Sequence, residues 1–250
     1  MRVHFLIGIA MLSVLSVLSA TSTVAQDTSM LPASEIVARM VAHDAQRLAS
    51  LEGYAGMRRY ILVNEHMHKR AEMLVRVQGD LDGTKHFEIV SEEGWKAAHK
   101  HVLHKMLESE SETSSPEART KSRLSTDNYE FQIVGSEKTG DRTTYVIDAT
   151  PKRREKYLFQ GRIWIDAEDY TLVRAEGNPA KNPSFWTKSV HFVHTYQKSG
   201  EFWFPLSTES VTEARIFGTT DLTIQYFDYR SNALRPAGNS VEIAQRGTRP

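Results

Sequence analysis

The stretch Lys156-Tyr-Leu-Phe-Gln-Gly-Arg-Ile-Trp-Ile-Asp166, then Ala167-Glu-Asp169, then Thr171-Leu-Val-Arg-Ala-Glu-Gly177 decides the fold. It reads as strand, tight turn, strand. Side chains alternate across an extended chain, so Tyr157, Phe159, Ile163 and Ile165 share one face, while Leu158 and Trp164 point the other way. Asp166 to Asp169 has the composition of a hairpin turn. A strand apolar on both faces is covered on both, or turns one of them towards a chamber.

Working outward, residues 129–134, 143–150, 186–198, 201–213 and 219–229 alternate or run apolar, with turns at 138–141 and 198–200. Upstream, 58–65, 72–78 and 85–91 read as three more strands, the last two joined by the turn segment 79–83. About ten strands with short turns predict a large antiparallel meander. Trp186, Val190, Phe192 and Tyr196 share a face of one strand; Phe202, Phe204 and Leu206 share a face of the next.

Two helices interrupt the strands. Residues 34–51 carry Ile36, Val37, Met40, Val41, Leu48 and Leu51 at helical spacing, with Ser34 as N-cap and Gly53 as terminator. From Trp95 to about residue 112, Trp95, Ala98, Val102, Leu103, Met106 and Leu107 form one stripe. The acidic, serine-rich run 108–116 buries little and is expected to be mobile, with a short helix over 117–124. A sheet this wide must curl or be covered. The expectation is an α+β fold: a large antiparallel meander curled into a half-open barrel, its concave face covered by helices. The domain runs over residues 31–230, with the helical and acidic insertion near 95–125 and a polar tail over 231–250.

The N-terminus reads as an export signal. Arg2 precedes the uncharged apolar run 5–20, and Thr23-Val-Ala25 places small residues for cleavage after Ala25. The run has 16 residues, short of the roughly 20 a bilayer core needs. No cysteine is present, so neither a lipidated thiol nor a disulfide framework is available, and a bacterial periplasm is the expected compartment. The 31 Lys+Arg and 31 Asp+Glu balance, which argues against nucleic acid as partner. Lys152-Arg-Arg154 reads as a solvated turn.

Chemistry is sparse. His66 and His68, His99, His101 and His104, and His191 and His194 lie close in sequence, but H-E-x-x-H is absent. So are G-x-S-x-G, a nucleophilic cysteine and a glycine-rich phosphate loop. A metal-dependent hydrolase is the weakest reading; the sequence gives no catalytic residue, metal or cofactor.

Tyr145-Val-Ile-Asp-Ala-Thr-Pro151, Gly161-Arg-Ile-Trp-Ile-Asp166, Leu172-Val-Arg-Ala-Glu-Gly177 and Phe202-Trp-Phe-Pro205, in this order, resemble the bacterial outer-membrane lipoprotein-sorting proteins, the LolA/LolB-like superfamily. The resemblance covers roughly residues 34–229. It implies an open half-barrel with a hydrophobic cavity for acyl chains of lipids or lipoproteins, no catalysis and no cofactor. It implies as partner a lipoprotein-handling protein of the inner or outer membrane. It also implies one cavity arginine that holds the closed state, for which Arg58, Arg59 and Arg76 all qualify. On this reading Tyr60, Leu62, Phe87, Ile89, Phe131, Trp164 and Phe192 line the cavity, with Trp95, Leu103, Met106 and Leu107 on a helical lid. The alternative is an interaction or envelope-sensing module on the same fold with a self-filled core. Periodicity does not separate the two.

Overall fold

A strand order of β3-β2-β1-β10-β9-β8-β7-β6-β5-β4 arranges all ten strands in one sheet. The strands are β1 (Leu51–Asn64), β2 (Lys69–Gly79), β3 (Lys85–Gly94), β4 (Tyr129–Thr139), β5 (Arg142–Pro151), β6 (Phe159–Asp166), β7 (Leu172–Pro179), β8 (Thr187–Ser199), β9 (Phe202–Ala214) and β10 (Gly218–Ala233). The structure is a computed structural model that describes residues 31–49, 51–80, 82–139, 141–199, 202–216 and 218–233. The signal segment with its cleavage site at Ala25, and the tail beyond residue 233, lie outside the described residues.

Every neighbouring pair is antiparallel. The expected meander is interrupted once. The first and last strands pair with each other in mid-sheet, Tyr60 opposite Ile224 and Leu62 opposite Leu222. β3 and β4, consecutive in sequence, therefore become the two edges. The sheet does not close into a barrel, and the chain crosses from edge to edge through helices.

Those helices are α1 (Ala33–Ala49), α2 (Lys96–Ala98), a π turn (His99–Leu103), α3 (His104–Thr113) and α4 (Pro116–Ser122). α1 buries Ala33, Ile36, Val37 and Met40 against Ile147, Ile163, Ile165 and Ala175 of β5–β7, the i, i+3, i+4, i+7 stripe of an amphipathic helix. Ala98, Leu103 and Leu107 pack on β1, β2 and β10 through Tyr60, Leu62, Met73, Val75, Leu222 and Ile224. The π turn corrects the expected stripe. Its i→i+5 bonding widens the helical turn, so Leu103, not Val102, lies beneath Ala98. Leu103 is fully buried and Val102 is 40% exposed.

The run 108–116 also departs from expectation. It remains helical to Thr113, where Ser114 is buried and donates to the Ser111 carbonyl at 2.7 Å. Two charged contacts of Glu110, described below, hold this segment on the sheet.

Candidate functional site

The two helical units bury separate clusters. One cluster lies under α2–α3 and a second under α1, and between them β8 and β9 form a seam. Along β8, Phe192, His194 and Tyr196 follow one another on the covered face, all half-buried. Phe192 meets Phe159 edge-on, with centroids 5.3 Å apart. His194 meets Tyr196 at 4.7 Å and Tyr226 at 5.9 Å. Its Nδ1 contacts the Thr208 hydroxyl, which lies 3.0 Å from the Tyr226 hydroxyl.

This floor is reachable by water yet densely surrounded. Burial, with Lys85 and Arg58 nearby, pushes His194 down to about 4, so it is neutral at pH 7. Burial likewise raises the phenols of Tyr196 and Tyr226. Groups that remain half-accessible and still feel such desolvation line a recess, neither a packed interior nor open surface.

The seam widens into a cavity of about 330 Å³ towards the β6–β7 and β8–β9 turns. Met40, Val41 and Leu172 line it with the rings of Tyr170, Tyr196 and Trp203, while Arg47, Arg119 and Arg123 also contribute. Its volume falls within the range of small-ligand sites, about 300–1,000 Å³.

Beside Tyr226 a charge cluster forms around a buried arginine. Arg58 is 3% exposed. Its two terminal nitrogens hold the Glu110 carboxylate at 2.7 and 3.1 Å, and Nη1 also donates to the Tyr60 hydroxyl at 3.3 Å. The rings of Tyr226 and Phe87 lie 5.0 and 5.4 Å from the guanidinium carbon, placing π faces against the cation. Lys85 adds a second contact to Glu110 at 2.8 Å. Burial works to raise the Glu110 carboxyl, but Lys85 and Arg58 outweigh it and hold it down to about 2. Burial works to lower the Arg58 guanidinium, yet Glu110 raises it well above its ordinary value. The other candidate arginines face water: Arg59 pairs with Glu72 at 2.6 Å and Arg76 with Glu88.

The sequence-predicted cavity residues fall in several places. Tyr60, Leu62, Leu103 and Leu107 are inside the α2–α3 cluster; Phe87, Trp95 and Met106 pack against its margin. Ile89 is on the edge strand and 41% exposed. Phe131 packs against the α1 cluster and stacks on Tyr129 at 5.8 Å. Phe192 is on the seam. Trp164 is a correction: its neighbours Ile163 and Ile165 face α1, so alternation turns Trp164 to the opposite face. There it donates Nε1–H to Glu137 at 2.9 Å and lies under Arg174 at 4.7 Å.

Sequence reasoning missed Glu110, His194, Tyr196, Thr208, Tyr226 and Tyr229 as partners. For Tyr229 a signal existed only in the backbone. Asp228 takes φ of 52° beside a register shift between β1 and β10, which breaks alternation and turns both Tyr226 and Tyr229 inward. Gly56 leaves room for the Tyr229 ring, 3.0 Å from where a Cβ would sit.

Among the described residues no three His, Asp or Glu side chains assemble as metal ligands; His99 turns to Glu92 and the Glu93 carbonyl, and His104 to Glu92. Also among the described residues, no helix is long and apolar enough to cross a membrane.

A family of unknown function (DUF5686) matches residues 122–233. No curated protein matches the chain. Solved structures similar to it include a LolA superfamily protein from Nitrosomonas europaea, at 11% identity and a TM-score of 0.37, covering 82% of this chain and 96% of that one. A DUF1329 family protein from Desulfovibrio piger matches at 11% identity and a TM-score of 0.42, over 84% and 96% of the two chains. An outer membrane lipoprotein-sorting protein domain from Vibrio parahaemolyticus matches at 13% identity and a TM-score of 0.38, over 80% and 95%.

Proposed function

We propose that the chain is an exported, non-catalytic carrier that takes an acyl chain of a lipid or lipoprotein into the seam between its two helical covers. The observation that carries this reading is the contrast along the sheet. Residues of β2, β5 and β6 such as Met73, Val75, Ile147 and Ile163 are packed to zero exposure, while Phe192, His194 and Tyr196 on β8 stay only partly buried and Tyr196 lines a cavity of about 330 Å³. Each methylene moved from water onto such a surface is worth about 0.8 kcal/mol. The N-terminal sequence, read as a cleavable signal, supports a periplasmic location, and the motifs shared with lipoprotein-sorting proteins support the cargo class.

In this reading α3 is the movable cover. Glu110 on α3 binds Arg58 and Lys85 on the sheet, and the seam widens when that contact lets go. The latch does not answer to pH near neutrality, since Glu110 stays ionised down to about 2. Release therefore needs a ligand or a partner, for which a lipoprotein-handling membrane protein fits.

A second reading has its own support. Tyr60, Leu62, Leu103 and Leu107 pack on each other, as a self-filled interaction module would require. Two measurements separate them: mass spectrometry of an organic extract of the purified protein, and titration with a fluorescent fatty acid. The carrier gives co-purifying acyl chains or saturable probe binding that native lipid displaces. Neither signal would leave the module.

A further inference from the structure

We infer that one end of the sheet is a docking surface for anionic phospholipid bilayers. Because the strands are antiparallel, loop 152–158, loop 180–186, Arg215–Ile216 and turn 65–68 all emerge at the same end. They are laced together. Arg154 donates to the Ala180 carbonyl at 3.4 Å, and the Ala180 N–H to the Leu158 carbonyl at 2.7 Å. Arg215 donates its backbone N–H to Trp186 at 2.9 Å and its Nε–H to the Phe185 carbonyl at 3.0 Å. His66 lies against Gly218.

This rim presents what soluble surfaces usually hide. Phe185 is 77% exposed, Ile216 61% and Trp186 55%. They are not loose: Phe185 and Trp186 meet edge-on at 5.5 Å, Arg215 lies 5.3 Å from the Phe185 ring centre, and Asn182 fastens the loop to the Thr187 and Lys188 carbonyls. Exposed cations lie at the same end: Arg154, Lys156, Lys181, Lys188 and Arg215. In these four segments the acids are Glu65 and Glu155, and Glu155 is paired with Arg153 at 2.8 Å, so cations outnumber acids. The chain as a whole is neutral, so this excess is local to one end. A rigid aromatic tip at the end that carries these cations matches the interface of a bilayer carrying negative headgroups. Indole and phenyl rings settle at headgroup depth, and lysines and arginines are drawn to the surface potential. Lys152-Arg-Arg154, read from sequence as a solvated turn, is on this account part of the contact.

The inference stands apart from the carrier reading, since it concerns the rim and not the seam. It is tested by flotation of the chain from Gln26 onward, which holds every described helix and strand. The vesicles are of phosphatidylcholine alone or with about 30% phosphatidylglycerol, as an anionic surface requires. The expected result is recovery with the anionic vesicles only, falling tenfold or more when salt shortens screening to about 3 Å at 1 M. Lys181→Glu with Lys188→Glu, and separately Phe185→Ser with Trp186→Ser, should each abolish recovery while melting like the parent. Emission of Trp186 should shift to the blue on the anionic vesicles, and Trp186→Phe should still float while losing that shift. No flotation, equal flotation with both vesicle types, or rim variants that float like the parent would each overturn the inference. A protein partner for the rim would show as the first of these.

Discussion

Arg58, Arg59 and Arg76 are alike in sequence, and burial alone separates them. A guanidinium withdrawn from water costs several kcal/mol unless its charge and protons are met. Arg58 is met by the Glu110 carboxylate, the Tyr60 hydroxyl and two ring faces; Arg59 and Arg76 keep about half of their side-chain surface in water. Glu110→Gln should therefore lower stability by about 3 kcal/mol, read from urea midpoints, because it leaves a buried cation without its counter-charge. Arg58→Met combined with Glu110→Leu should recover most of the loss, since an apolar pair of similar volume needs no compensation. A neutral Glu110→Gln would mean that the cluster contributes no net stability. His194 sets a second test. Its folded value is about 4 against an ordinary 6.5, so the unfolded chain takes up its proton first as pH falls. The contribution is complete above pH 6.5 and drains away between about 6.5 and 4. Allowing for its half-open position, this amounts to about 2 kcal/mol. Urea unfolding at pH 7 and pH 4.5 should show the drop in the parent and a smaller one in His194→Gln. Equal drops would place the histidine in water.

At the scale of elements, β6 and β7 explain part of the motif that carried the family resemblance. Gly161 and Gly177 face each other across the ladder, and a Cβ on either would run into the partner strand's backbone at Glu176 or Gln160. Asp166, the motif's last residue, is 1% exposed. It receives Arg142 at 2.5 and 2.6 Å and the turn amides of Glu168 and Asp169 at 2.9 and 2.8 Å. These residues build the hairpin. Gly161→Ala should accordingly cost about 2 kcal/mol or more through ladder disruption, seen as a lower thermal midpoint; an unchanged midpoint would deny the close approach. Local chemistry of this kind is what a single sequence displays. Alternation announced each strand, turn residues announced the hairpins after β2, β4 and β6, and the helical stripe announced α1 to within two residues. What remained hidden depends on partners distant in sequence. The β1–β10 pairing joins residues that no turn connects. The acidic run 108–116 has disordered composition, and only Arg58 and Lys85, brought in by β1 and β3, hold Glu110 against the sheet. The π turn and the Asp228 bulge change which face a residue takes without changing residue type, so Val102 and Tyr229 could not be placed by counting. Of the predicted cavity residues, hydrophobicity and period found the packed clusters well and the seam at Phe192 alone, because its other members, His194, Tyr196 and Thr208, are polar.

For the molecule as a whole, the question is whether the seam is a defect or a chamber. A sheet ten strands wide is covered here by two helical units, each burying its own apolar stripe. Strands β8 and β9, outside both buried clusters, carry rings that stay only partly buried, Tyr196 facing α1 across the cavity. Packing alone would favour filling that space with Leu or Phe, since interiors approach crystal density. The sequence instead places Thr208 and Ser210 on β9, opposite His194 and Phe192. Small side chains that keep a floor open make a prediction that core and chamber answer oppositely. Ser210→Phe adds a ring to the seam, where there is space. Its thermal midpoint should stay within a few degrees of the parent, while affinity for a fluorescent acyl probe falls by about tenfold, equivalent to about 1.4 kcal/mol. Ala175→Phe adds the same ring to the cluster beneath α1, where Ala175 is 6% exposed against Ile163 and Ile165, and overpacking should cost about 3 kcal/mol. If Ser210→Phe melts as low as Ala175→Phe, the seam is packed interior and the carrier reading fails. If it folds and still binds the probe as tightly as the parent, the ligand sits elsewhere, and the cavity beside Trp203 and Met40 becomes the place to block next.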